Sequence, residues 1–87
     1  MSPFETTLED LKKKYNFKSI SHEFEIVGHG SKLTLYIELT PEQYQKASSL
    51  SNRSVGGATY ALSRNNNITI VAGNLDAMKI LLAAIVN

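Results

Sequence analysis

Between Ser19 and Leu39, and again between Tyr60 and Ala72, apolar side chains fall mostly on alternate positions, and in the segments around these they recur every three or four residues. The first spacing is that of a strand with one covered face, the second that of a helix with one covered stripe. In the first extended segment, Ser19 to Val27, Ile20, Phe24 and Ile26 face inward and Ser21, Glu23 and Glu25 face outward. Leu33, Leu35, Ile37 and Leu39 form the inner face of the next segment. The inner positions are even-numbered in one strand and odd-numbered in the other, so facing residue numbers must have an odd sum. A hairpin loop of two residues (His29-Gly30) or four (Gly28 to Ser31) meets that condition, whereas three residues would turn one strand inside out. A second alternating pair, Tyr60–Ser63 and Ile68–Ala72, places Tyr60, Leu62, Ile68 and Ile70 inside. Both inner sets are now even, which predicts a three-residue loop at Asn65-Asn66-Asn67 with one asparagine in the left-handed region.

Helical spacing precedes, separates and follows these pairs. Phe4, Leu8, Leu11 and Tyr15 draw one apolar stripe, and Ser2-Pro3-Phe4-Glu5 has the form of a capping box with proline at the first helical position. Lys12, Lys13 and Lys14 then fall in the last turn, where cations offset the helix dipole. Thr40, Pro41 and Gln43 start a second helix in the same way, with Tyr44, Ala47 and Leu50 inward. "SSLSNRSVGG" reads as a loop, its glycine pair a flexible bend before the second hairpin. Asn74 caps a third helix with Asp76 in its first turn. The order α-β-β-α-β-β-α predicts a single small α+β domain over residues 1–87, with a four-stranded, mostly antiparallel sheet and helices packed on one face.

Composition narrows the chemistry more than the fold. The 87 residues include no cysteine, so neither a disulfide nor a thiolate zinc site supplies stability, and the 43% hydrophobic content must do so by packing. "MSPFETTLEDLKKKY" has no apolar leader and "ILLAAIV" is far too short to span a bilayer, so a cytoplasmic location is expected. Seven lysines to two arginines, with many asparagines and isoleucines, is compatible with an AT-rich genome such as many phages have.

No constellation of catalytic groups emerges, and no residue is assigned a catalytic, cofactor-binding or metal-ligating role. His22 lies on the inner face between Ile20 and Phe24, where a half-buried, hydrogen-bonded histidine is expected; His29 sits at a hairpin tip, and the two do not have metal-ligand spacing. Glu23 and Glu25 share an outer strand face, where carboxylates keep a strand soluble. Gly56-Gly57 lacks the lysine and the strand-to-helix setting of a phosphate loop. The net charge is +1, with no acidic residue from Gln43 to Leu75. Lys12, Lys13, Lys14, Lys46, Arg53 and Arg64 therefore form a modest basic set for an alternative reading, an RNA or single-strand binder with aromatic help from Tyr36.

The last helix carries the favoured reading. From Leu75 to Val86 only Asp76 and Lys79 are polar. Met78, Leu81, Leu82 and Ile85 supply a core stripe, which leaves Ile80, Ala83, Ala84 and Val86 on other sides. So small a domain has little interior to cover both, which predicts self-association or contact with another protein through Ile80, Leu82, Ala83 and Val86, with Arg53 and Arg64 at a polar rim. The expected protein is a non-enzymatic binding or regulatory module, an inhibitor, regulator or accessory subunit, without cofactor and without membrane contact.

Overall fold

The computed structural model describes residues 3–50 and 53–86, with side chains from residue 6 onward. The elements are α1 (Pro3–Tyr15), β1 (Ser19–Val27), β2 (Gly30–Glu38), α2 (Pro41–Ser49), β3 (Ser54–Val55), β4 (Ala58–Leu62), β5 (Asn67–Ala72) and α3 (Leu75–Val86). Every strand pair is antiparallel, and the sheet order is β1-β2-β5-β4-β3. The sheet thus has five strands rather than the four expected.

The extra strand comes from the glycine pair. Gly56 and Gly57 both have positive φ, 61° and 88°. A two-residue type I′ hairpin turn demands that combination. It brings Val55 opposite Ala58 and Ser54 opposite Thr59, and the Tyr60 amide donates to the Arg53 carbonyl at 3.1 Å beyond them. Gly56-Gly57 is therefore the closing turn of β3–β4 and not a flexible bend. An added Cβ at Gly57 would meet nothing within 4 Å, so Gly57→Ala isolates the backbone cost of a left-handed residue. It is expected to lower the unfolding free energy by about 1 kcal/mol, read from urea denaturation. A neutral result would mean that the turn can adopt another geometry.

The parity arguments hold while the loop positions move by one residue. Val27 pairs with Gly30 across Gly28-His29, and Gly28 takes the positive φ of 59°. Leu62 pairs with Ile68, and the Ser63 amide donates to the Asn67 carbonyl at 2.9 Å across Arg64-Asn65-Asn66. Asn65 and Asn66 are both left-handed, one more than expected, a conformation that the short polar asparagine side chain tolerates.

Side-chain hydrogen bonds fix the helix ends. Thr40 Oγ1 accepts from the Gln43 amide at 3.2 Å and Gln43 Oε1 accepts from the Thr40 amide at 3.0 Å, the reciprocal capping box. Gln43 Nε2 also donates to the Tyr15 carbonyl, tying the start of α2 to the end of α1. Asn74 Oδ1 accepts from the Ala77 amide at 2.8 Å. Asn16, at φ 59°, ends α1, and the Phe17 amide reaches back to the Lys12 carbonyl at 3.2 Å, the closure of a Schellman motif. The capping box expected at Ser2 to Glu5 and the Phe4 contribution to the stripe lie outside the described residues and side chains.

One sheet face and the helices share the core. Leu33, Leu35, Ile37 and Leu39 from the β2 segment and Ile68 and Ile70 from β5 are buried against Met78, Leu81, Leu82 and Ile85 of α3. Leu8 and Leu11 of α1, with Phe17, join the same cluster. The helix α3 runs over β3, β4 and β5 and packs beside α2, whereas α1 meets β1. The helix layer is therefore dense over one half of the sheet and thin over the β1 edge.

Candidate interaction surface

The packing of α3 decides how much of its apolar girth is left for a partner. Leu82 is 0% exposed, in the core beside Leu81, so its assignment to a partner surface is corrected. At helical spacing it shares the side of Met78 and Ile85, which the sheet covers. Ala83 and Val86 are half-buried, and Ala83 lines a groove shared with Leu11 and Tyr15 of α1. Ile80 remains 53% exposed. Its Cγ2 would lie 3.4 Å from a Cβ added at Gly56, so the tight β3–β4 turn is what seats this residue's inner side. Of the expected patch, the residue left broadly open is Ile80.

A larger apolar surface lies on β1, at the opposite edge of the sheet. Phe24 is 60% exposed and Ile26 78%. Phe24 pairs with Leu33 and Ile26 with Ser31. Directly opposed residues share a face, so both side chains point to the helix side of the sheet as their spacing predicts. No helix covers them. Leu8, Glu9, Asp10 and Lys13 of α1 form with Ile20 and His22 an open groove of about 480 Å³. Beyond it the hairpin outruns its neighbour, because β5 ends at Ala72 opposite Leu33. His22, expected to be half-buried, is exposed on this groove.

The backbone of β1 is open as well. It is the edge strand, paired through nine residues in unbroken register with β2. In an antiparallel ribbon every second residue turns its N–H and C=O away from its partner, so β1 presents a row of such groups along the free edge. Short length, bulges, proline and charged side chains are the usual ways of blunting an edge. The two-residue β3 uses the first at the other edge. The strand β1 is long, unbulged and without proline, and its carboxylates, Glu23 and Glu25, stand on the outer face and leave the helix-side face of the edge uncharged.

That outer face is polar and internally bonded. The Tyr36 hydroxyl donates to Glu23 Oε1 at 3.3 Å, and Lys32 Nζ lies 3.7 Å from Glu25 Oε1 directly across the strands. Desolvation of the phenol, and then the charge and hydrogen bond of Glu23 and the charge of Glu25, hold Tyr36 above its ordinary value of 10.0. Tyr36 is therefore a neutral donor engaged by a carboxylate. It is not a bare platform for a stacking base.

The basic set is dispersed. Lys12, Lys13 and Lys14 occupy the last turn of α1, Lys46 that of α2, and Arg64 the β4–β5 turn. Lys13 shares its groove with Glu9 and Asp10, and Lys14 shares one with Asp10 and Lys79. Lys14 Nζ stands 5.2 Å from the Tyr15 ring centre, and the Arg53 guanidinium stands 5.7 Å from that of the buried Tyr60. Arg53 lies across from Tyr60 in the middle of β4, whereas Arg64 follows the end of that strand. His29 is exposed at its hairpin tip, and among the described residues no group of three or more His, Asp or Glu side chains could hold a metal ion. Among them, too, no helix is long and apolar enough to cross a membrane.

Sequence reasoning placed the side chains of β1 on the correct side and missed their exposure. The available signal was supply: one amphipathic helix with Leu8 and Leu11 is little cover for an inner face running from Ile20 to Ile26. No protein-family model, curated protein or solved structure matches the chain.

Proposed function

We propose that the protein is a non-enzymatic binding module, a regulator, inhibitor or accessory subunit, that works by protein–protein contact through the β1 edge. The observation that carries this reading is the coincidence, on one strand, of a long free edge and the exposed side chains of Phe24 and Ile26. An extended segment added to β1 would pair with its backbone and set alternate side chains over the groove beside Leu8 and Ile20. Strand addition works in this way, with main-chain bonds for affinity and pockets for specificity. The exposed Ile80 of α3 lies over the other half of the sheet and supplies a far smaller surface.

The test is affinity capture from the native host with and without nuclease, comparing the unmodified chain with Phe24→Lys and with Arg53→Ala/Arg64→Ala. Recovery of protein that resists nuclease, vanishes with Phe24→Lys and survives the double arginine change supports the proposal. Recovery that requires nucleic acid, or that ignores Phe24→Lys, overturns it.

A further inference from the structure

We infer that the segment docked on β1 is β1 of a second copy, paired antiparallel about a two-fold axis at His22. This inference rests on the reading of β1 as the docking edge and names its occupant. Symmetric closure is the commonest form of self-association, and here it can be tested against the sequence register by register.

A two-fold axis perpendicular to the sheet keeps both helix layers on one side, so it must pass through a residue that faces its own copy. Centring on Glu23 or Glu25 sets a carboxylate against itself, and centring on Phe24 sets Glu23 against Glu25. Like charges directly opposed across strands are unfavourable. Centring on Ser21 avoids this but places Phe24 against Lys18 and Glu25 against Phe17. Centring on His22 places Ile20 against Phe24, Ser21 against Glu23 and Ser19 against Glu25. Within "SISHEFE" each carboxylate thus meets a hydroxyl and Ile20 meets Phe24, while at the ends of the pairing Val27 falls against Phe17 and Ile26 against Lys18, so that no carboxylate faces an apolar side chain as Glu25 does in the Ser21 register.

The groove supports the same register. Ile20 forms its wall with Leu8. The second copy's Phe24, 60% exposed in the lone chain, would lie beside Ile20 on the helix side and so at the mouth of this groove. The arrangement occurs twice by symmetry. Two five-stranded sheets become one continuous sheet, and both β1 edges disappear from solvent. His22 keeps Glu9, Asp10 and Lys13 as its charged groove neighbours in each copy.

Sedimentation at tens of micromolar (an order of magnitude suited to ordinary interfaces) tests the assembly, and cysteine scanning tests the register. The unmodified chain is expected to be a dimer. Phe24→Lys is expected to be a monomer with an unchanged circular dichroism spectrum, with association weakened at least about 100-fold, and Ile80→Asp is expected to remain dimeric. The chain has no cysteine, so His22→Cys introduces one thiol per copy. Residues directly opposed across an antiparallel pair have Cα atoms about 4.5–5.5 Å apart, within disulfide range. His22→Cys should therefore give a covalent dimer on mild oxidation, at least about tenfold faster than Glu23→Cys or Phe24→Cys, which mark the rejected registers. A monomeric unmodified chain overturns self-pairing and leaves the β1 docking surface to be judged by the Phe24→Lys capture. A dimer that survives Phe24→Lys and is lost with Ile80→Asp overturns both. Faster cross-linking through Glu23→Cys or Phe24→Cys overturns the register.

Discussion

Leu82→Asp gives a chain that does not fold, and Leu82→Ala one less stable by about 3 kcal/mol, while Ile80→Asp folds with stability changed by less than about 1 kcal/mol. The two positions sit two residues apart on α3 and differ in what surrounds them. Leu82 is fully buried among side chains from the sheet and α3, and truncation there loses its transfer free energy and leaves a cavity. A carboxylate in the same place adds a desolvation cost of several kcal/mol with no cation to meet it. A domain of this length holds only about 5–10 kcal/mol of net stability, so the sum is enough to unfold it. Ile80, 53% exposed, gives up little when it becomes polar. Urea denaturation followed by far-ultraviolet circular dichroism reads all three. Equal tolerance at the two positions would mean that α3 does not sit on the sheet as described.

That contrast also marks how far the sequence was legible. Period and parity found the inner faces of β2, β5 and α3, because a side chain's direction is a local property of its backbone. Thr40, Gln43 and Asn74 were legible for a similar reason, since a cap and the amides it satisfies lie within three residues. Coverage is not local. Whether Phe24 is buried depends on which helix lies over it; Leu8 of α1 lines a groove with Ile20, while Phe24 stays 60% exposed. The same gap misdirected the interface. The apolar girth of α3 looked excessive because the contribution of α2, α1 and the β3–β4 turn to covering it could not be read from spacing. The strand β3 escaped detection because two residues carry no period, although Gly56-Gly57 was the hairpin signal that could have revealed it.

Tyr60→Ala is expected to destabilise the protein by about 3–5 kcal/mol and Tyr60→Phe by about 1–2 kcal/mol. The ring, 5% exposed, is part of the core, and its hydroxyl donates to the Ala47 carbonyl at 2.8 Å. That carbonyl lies near the end of α2, and among the described residues it also accepts from the Leu50 amide at 3.4 Å, a long bond. Phenylalanine keeps the packing and leaves the carbonyl poorly satisfied; alanine loses both. The phenol is thus the strut that sets α2 against β4, and so the frame on which α3 rests. Arg53 provides an internal control, since its guanidinium lies over the same ring. Arg53→Ala should cost no more than about 1 kcal/mol in the unmodified chain, the same in Tyr60→Phe, and nothing further in Tyr60→Ala. An Arg53 effect that persists without the ring would show that the arginine acts through other contacts, and would return it to consideration as a residue kept for a ligand.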